Sequence, residues 1–300
     1  MNPIIETYKL TKTFDNYKAV NELSLTINQG DIYGLIGRNG AGKTTFMKII
    51  SNLASPSSGS YKIFGYEKNE NYKARTRVSS LIENVGSYPN MTAQDNLLLK
   101  GKSLGLRGNS YIGETLDLIG LSQVGKKKVK DFSLGMKQRL GIGLALIGDP
   151  DILILDEPIN GLDPQGIMEV RDLVYRLNME KNMTFLISSH ILDELAKIAT
   201  NFAIIDHGTL LANFSKEELE EKTKDRIELI TNNPQRTCTL LEENGINSFK
   251  LIDKETFHIY QNPNLIDRII DILKKEDIKI SYINIHSGSL EDYYMNLLAK

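Results

Sequence analysis

The chain has 300 residues, 41% of them apolar and 25% charged, with a formal net charge of −2 and a single cysteine, Cys238. This balance excludes a disordered or fibrous polypeptide, and the near-zero charge excludes a global basic field that would draw the chain onto nucleic acid or anionic lipid. One cysteine excludes an internal disulfide and fits a reducing compartment.

The N-terminus carries Glu6 and Lys9 where a secretory signal has its apolar core. The richest apolar stretch, Leu140 to Gly148, is interrupted by glycines and ends at Asp149–Pro150. Neither a signal peptide nor a membrane-spanning helix is expected, so any work at a membrane would be that of a peripheral cytoplasmic subunit.

In chain order, β-like runs occur at Ile4–Leu10, Leu23–Ile27, Ile32–Ile36 and Ser60–Phe64, with a helical pattern at Lys43–Leu53. From about Met91 to Gly148 the pattern turns helical, notably at Thr92–Leu104 and Tyr111–Leu121. Strand and helix signals then alternate: Ile152–Leu155, Pro164–Met179, Thr184–Ser188, Ile191–Ala199 and Phe202–Ile205. This order predicts an α/β core with a mostly parallel sheet, an antiparallel β flap at its start and an inserted helical subdomain. After about Lys222 the expected order is β (Arg226–Thr231), α (Pro234–Asn244), β (Phe249–Ile252), β (Phe257–Tyr260), α (Pro263–Lys275), β (Ile278–Ile285) and a last helix (Ser289–Leu298). That order predicts a small C-terminal α+β domain.

The run Asp31–Ile36 leads into Gly37-Arg38-Asn39-Gly40-Ala41-Gly42-Lys43-Thr44, followed by Thr45 and a helical pattern. The spacing is that of a phosphate-binding P-loop in its strand–loop–helix context. Glycines let backbone N–H groups turn toward phosphate oxygens, and the helix N-terminus adds partial positive charge. Lys43 can reach the outer phosphates, and Thr44 can offer a hydroxyl to Mg²⁺. A glycine-rich turn of similar spelling is the bland alternative.

The apolar run Ile152–Leu155 ends in Asp156 and Glu157. Four consecutive apolar residues suit a strand buried on both faces, and ligands gather at the carboxyl ends of such strands. Asp156 is the expected Mg²⁺ partner, and Glu157 the expected general base for water. Thr184–Ser189 delivers His190 to the start of the next helical pattern. His190 reads either as a phosphate contact or as a solvated histidine beside a Ser188 or Ser189 N-cap.

Phe132-Ser-Leu-Gly-Met-Lys-Gln-Arg139 completes the set. In this order the pieces resemble the ATP-binding cassette (ABC) family over about residues 4–222, with residues 223–300 left as an accessory domain. The resemblance implies an ATPase that takes ATP with Mg²⁺ and works as a head-to-tail dimer of two copies. Each ATP would lie between one copy's P-loop and the other's signature, with Ser133 and the Gly135 amide on the γ-phosphate. By the same resemblance Phe14 stacks on adenine, with core packing as its alternative. Asp163 lies in the loop that carries contacts between paired subunits, and His190 is the switch histidine. Glu83 stands where the family places a glutamine near the metal.

Leu-Ile-Glu83, the Ser-Leu-Gly-Met signature and Asn-Gly-Leu-Asp-Pro resemble the bacitracin-resistance and lantibiotic-immunity branch, whose ATPases serve separate transmembrane permeases from the inner face of the membrane. The segment Glu83–Asn96 is the expected permease groove, with a plain surface loop as the alternative. A soluble relative acting on ribosomes or DNA is the competing reading. It is disfavoured by one cassette per chain, the absence of sustained heptads and the charge balance. The Lys126–Lys130 cluster reads as a solvated loop, so no nucleic-acid partner is expected. A regulatory module that holds ATP without hydrolysing it is disfavoured by the presence of both Glu157 and His190.

Overall fold

A computed structural model describes residues 2–67, 70, 74–83, 85–223, 225–260, 265–286 and 288–298. They fall into two compact units, 1–216 and 217–300.

The first unit opens with β1 (Pro3–Phe14), β2 (Tyr17–Leu23) and β3 (Thr26–Asn28). β4 (Ile32–Ile36) then leads into α1 (Lys43–Ile50), and β5 (Ser58–Ile63) and β6 (Tyr66–Glu67) follow. β1, β2, β3, β5 and β6 form the antiparallel flap, in the order β2-β1-β5-β6 with β3 also on β1. The expected run Leu23–Ile27 is split at Ser24–Leu25 between β2 and β3, so the chain changes partner there rather than continuing as one strand.

β7 (Val78–Leu81) precedes the insertion, which holds α2 (Ala93–Ser103), α3 (Ser110–Leu118) and α4 (Leu134–Leu146). The core resumes with β8 (Ile152–Asp156), α5 (Pro164–Lys181), β9 (Thr184–Ser189), α6 (Leu192–Ile198), β10 (Asn201–Asp206) and β11 (Thr209–Ser215). Among the described residues the main sheet runs β11-β10-β4-β9-β8-β7, parallel throughout except for β11. β4 is buried along its whole length and β8 up to its last residue, which is why both read as apolar runs.

Helix α1 buries Phe46, Met47, Ile49 and Ile50 in a core shared by the flap strands and the parallel sheet. That packing fixes the helix axis, and with it the direction in which its N-terminus points. At the far edge, Arg77 grips Asp151 through two hydrogen bonds of 2.8 and 3.0 Å and lies 3.7 Å from the centroid of the Phe64 ring. The guanidinium holds the Asp151 carboxyl below the usual carboxylate range and ties the β7 edge to the start of β8.

The second unit begins within α7 (Lys216–Lys222), whereas the sequence places the boundary at about Lys222. β12 (Arg226–Thr231), α8 (Pro234–Glu243), β13 (Phe249–Leu251), β14 (Thr256–Ile259), α9 (Ile266–Lys275), β15 (Ile280–His286) and α10 (Leu290–Leu298) complete it. The first two residues of the helix expected at Pro263–Lys275 lie outside the described residues. The sheet order β13-β14-β12-β15, antiparallel at every step, gives a βαββαβ unit. Its core gathers Ile227, Leu229, Leu241, Phe257, Ile269 and Leu273.

Phe202 of β10 is fully buried, stacked on Phe214 at 5.5 Å and filling the space that Gly34 leaves beside β4. Phe202→Ala is expected to cost about 3–5 kcal/mol, read as a lower urea midpoint, because the cavity opens beneath the strand that carries the P-loop.

Candidate active site

The P-loop turns on two glycines that no other residue can replace. A Cβ on Gly37 would lie 2.4 Å from the Ile205 carbonyl oxygen, and one on Gly42 would lie 2.1 Å from that of Ala19. Gly42 also sits at φ 106° as the cap residue of α1 and supplies no side chain. The first N–H groups of α1 are therefore left for an anion rather than for a capping hydroxyl. Gly40, at φ 83°, has open space around it, so its requirement is conformational. Ala41 N–H donates to the Arg38 carbonyl at 3.1 Å, closing the turn, while Arg38, Asn39 and Gly40 face solvent.

Lys43 is buried, and its ammonium bends back to donate to the Gly37 and Arg38 carbonyls at 2.7 and 3.3 Å. It also lies 3.4 Å from Glu157 Oε1. Thr44 Oγ1 donates to Asp156 Oδ2 at 2.7 Å. Thr45 follows on the first turn of α1, half-buried.

β9 lies between β4 and β8, and its register puts Ser188 beside both Leu35 and Asp156. Ser188 Oγ donates to Asp156 Oδ1 at 2.6 Å and accepts from Glu157 N–H at 2.8 Å. One fully buried hydroxyl thus clamps both carboxylate residues. The sequence reading gave Ser188 only a capping role. The structure corrects this: Ser188 ends inside β9, and α6 starts at Leu192 after Ile191, with no side-chain cap. Its position on a central strand, beside the last residue of β8, is a signal available only once strand order is known.

Glu157 stands at φ 50°, a left-handed conformation for a residue with a side chain. Its Oε2 meets His190 Nδ1 at 2.7 Å and accepts from His190 N–H at 3.3 Å. Its Oε1 is buried and accepts no hydrogen bond, with the Lys43 ammonium as its near charged neighbour. His190 follows the end of β9 and is therefore tied to the carboxylate, not freely solvated.

The structure thus brings Lys43, Thr44, Asp156, Glu157 and His190 together. It places Glu83 apart from their hydrogen bonds, paired with Lys48 of α1 at 2.5 Å and at φ 66°. Phe14 is about half exposed at the tip of the flap, with the Lys12 ammonium 5.0 Å from its ring centroid, so it is not a core residue.

Ser133, Gly135 and Asp163 form a second cluster. Ser133 caps α4 by accepting from Met136 N–H at 3.2 Å, and Asp163 caps α5 by accepting from Gly166 N–H at 3.0 Å. A Cβ on Gly135 would lie 3.8 Å from the Gly166 Cα, and one on Gly161 3.2 Å from Leu134 Cδ2. The two helix starts therefore lie side by side. Among the described residues no hydrogen bond or ion pair joins Ser133 or Gly135 to residues 37–45.

A groove of about 340 Å³ opens between β7, the following loop, α2 and α4, lined by Ser80, Val85, Tyr88, Leu99 and Leu144 among others. Its rim is held by buried Asn96, which accepts from Tyr88 N–H at 2.7 Å and donates to the carbonyls of Tyr88 and Thr92 at 3.2 and 2.8 Å. Of the segment Glu83–Asn96, Val85, Gly86, Tyr88 and Asn96 line this groove; Asn84 lies outside the described residues. No helix among the described residues is long and apolar enough to cross a membrane.

Comparison with known proteins accords with this geometry. A family model described as ABC transporter matches residues 20–160. The chain is 42% identical to the ABC transporter ATP-binding protein YcbN of Bacillus subtilis, over 99% of this chain and 98% of that one. It is 38% identical to the bacitracin transport ATP-binding protein BcrA of Bacillus licheniformis, over 99% and 98% of the two chains. The ATP-binding cassette MJ0796, solved as a dimer bound to ADP and Pi, superposes with a TM-score of 0.65 at 22% identity, covering 71% of this chain and 99% of that one. The chain belongs to the ABC transporter family and is one of its ATP-binding subunits, an ATPase coupled to transport.

Proposed function

We propose that this ATPase powers a separate membrane permease that exports, or confers immunity to, a peptide antibiotic of the bacitracin or lantibiotic type, working as a head-to-tail dimer on the inner face of the membrane. The observation that carries the catalytic half is the convergence of Lys43, Thr44, Asp156, Glu157 and His190 on the open N-terminus of α1. The 38% identity with a bacitracin transport protein over nearly the whole chain supports the substrate class.

The chemistry follows from the contacts. Triphosphate oxygens replace the carbonyls that Lys43 now holds, because a charge-assisted bond to phosphate is stronger than one to a neutral amide. Thr44 and Asp156 offer hydroxyl and carboxylate oxygens at one point, a donor set that fits Mg²⁺ when phosphate and water complete the shell. When bound, the ion neutralises charge on the outer phosphates. Glu157 is the base. His190 holds one carboxylate oxygen, and the other, free of hydrogen bonds, takes the proton of the attacking water. The new P–O bond forms as the bond to ADP breaks.

Ser133 and Gly135 sit in their own cluster, so a single chain presents two incomplete halves. A second copy turned head to tail completes each with the other, and loss of the bridging phosphate on hydrolysis releases the pair. The groove walled by Tyr88, Leu99 and Leu144 is the permease seat, and its link to the chemistry runs through the loop that carries Glu83.

Glu157→Gln keeps the shape and loses the base. It is expected to bind ATP and to lower kcat by about 10²- to 10⁴-fold, with a nucleotide-trapped dimer visible by size-exclusion chromatography; phosphate release at the wild-type rate would remove Glu157 from this role. Glu83→Ala is expected to spare ATP binding but to cut hydrolysis or antibiotic resistance by at least about tenfold, the loss of ~1.4 kcal/mol. Unchanged resistance in cells carrying the variant rejects Glu83 as a working residue.

A further inference from the structure

The flap carries a second aromatic that reaches the P-loop. Tyr17 opens β2 and is the register partner of Phe14 across a tight turn at Asp15–Asn16, where Asp15 has φ 48°. Directly opposed residues of an antiparallel pair share a face, so Phe14 and Tyr17 stand on the same side of the hairpin. Both are about half exposed, which is not the state of core residues. Their ends differ. The Phe14 ring has no polar atom and is flanked by the Lys12 ammonium, whereas Tyr17 Oη donates to the Gly40 carbonyl at 3.1 Å.

Gly40 is the apex of the phosphate loop. Its carbonyl shares a peptide plane with the Ala41 N–H, which closes the turn by donating to the Arg38 carbonyl. Holding one end of that plane holds the other. On the opposite side the loop is braced by backbone alone: Gly208 N–H donates to the Ala41 carbonyl at 2.8 Å, and Asn21 N–H donates to the Gly208 carbonyl at 2.8 Å. Between these two braces lies a glycine free of steric restraint at a positive φ, the softest point of the loop. Tyr17 is the side chain that stiffens it.

We infer that Tyr17 is a positioning residue of the nucleotide site: its hydroxyl pre-sets the Gly40–Ala41 peptide for triphosphate, on the same hairpin that presents Phe14 to the base. This rests on the nucleotide reading above. The tyrosine acts on the phosphate end of the ligand, and the phenylalanine beside it acts on the base end. The ring of Tyr17 is incidental to the effect; the hydroxyl carries it.

The test separates the two ends. Binding of Mg-ATP and of inorganic magnesium triphosphate to the full chain is measured by calorimetry for wild type, Tyr17→Phe, Phe14→Ala and Lys43→Ala, with steady-state hydrolysis alongside. Tyr17→Phe is expected to weaken ATP and triphosphate by the same factor, about 2- to 10-fold for one partly exposed hydrogen bond. The change should fall in KM rather than kcat, and the melting temperature should stay within about 2 °C of wild type, since a surface contact contributes little to folding. Phe14→Ala is expected to weaken ATP alone. If Tyr17→Phe leaves both ligands unchanged, or weakens only ATP, while Lys43→Ala loses both, the role given to Tyr17 is wrong and the site stands. If Lys43→Ala also keeps both ligands, the site itself is misassigned and the inference goes with it.

Discussion

Asp156 is held at both oxygens, by Thr44 on one side and Ser188 on the other, and this clasp is the contact on which the rest of the site depends. It spans three neighbouring strands. The threonine follows β4, the serine sits one residue before the end of β9 and the aspartate ends β8. Because the three run parallel, their carboxyl ends come out together, and chemistry scattered over 146 positions from Thr44 to His190 is gathered at one edge. The same serine takes the Glu157 N–H, so one hydroxyl fixes both the Asp156 carboxylate and the Glu157 backbone. Burial makes the arrangement stiff: an unpaired oxygen there would cost about 1–3 kcal/mol.

What was legible in the sequence was local. Gly37 to Thr44 reads directly because the loop needs glycine where neighbouring carbonyls lie 2.1–2.4 Å from any added Cβ, and lysine and threonine where charge and hydroxyl are required. Ile152–Glu157 reads because a doubly buried strand must be apolar up to its last residue. The residues that escaped are those whose role is made by a partner far away in the chain. Ser188 touches Asp156 from 32 positions off, and Tyr17 touches Gly40 from 23. Each sits in a stretch with no motif of its own. The strands that escaped, β2, β6, β7 and β11, carry polar residues among the apolar ones and lie at sheet edges, where one side needs no apolar cover. In the tail the alternation was clean, as in Ile227, Leu229 and Thr231 facing one way, and the element order followed from it.

The insertion and the two caps show a division of labour. Ser133 and Asp163 each satisfy one first-turn N–H of α4 and α5 with their own side chains. α1 is capped by a glycine that offers no side chain, so its first N–H groups stay open. That open turn, at the end of a glycine-rich loop, can take an anion.

Glu157 gives the last consequence. A glutamate with a left-handed backbone sits about 1–2 kcal/mol above what glycine would cost at the same place. Replacing that residue with glycine would relieve the strain and remove the carboxylate proposed as the base. The chain therefore carries a permanent tension at the carboxylate proposed as its base, and screens that reward thermal robustness alone would drift toward variants without that group.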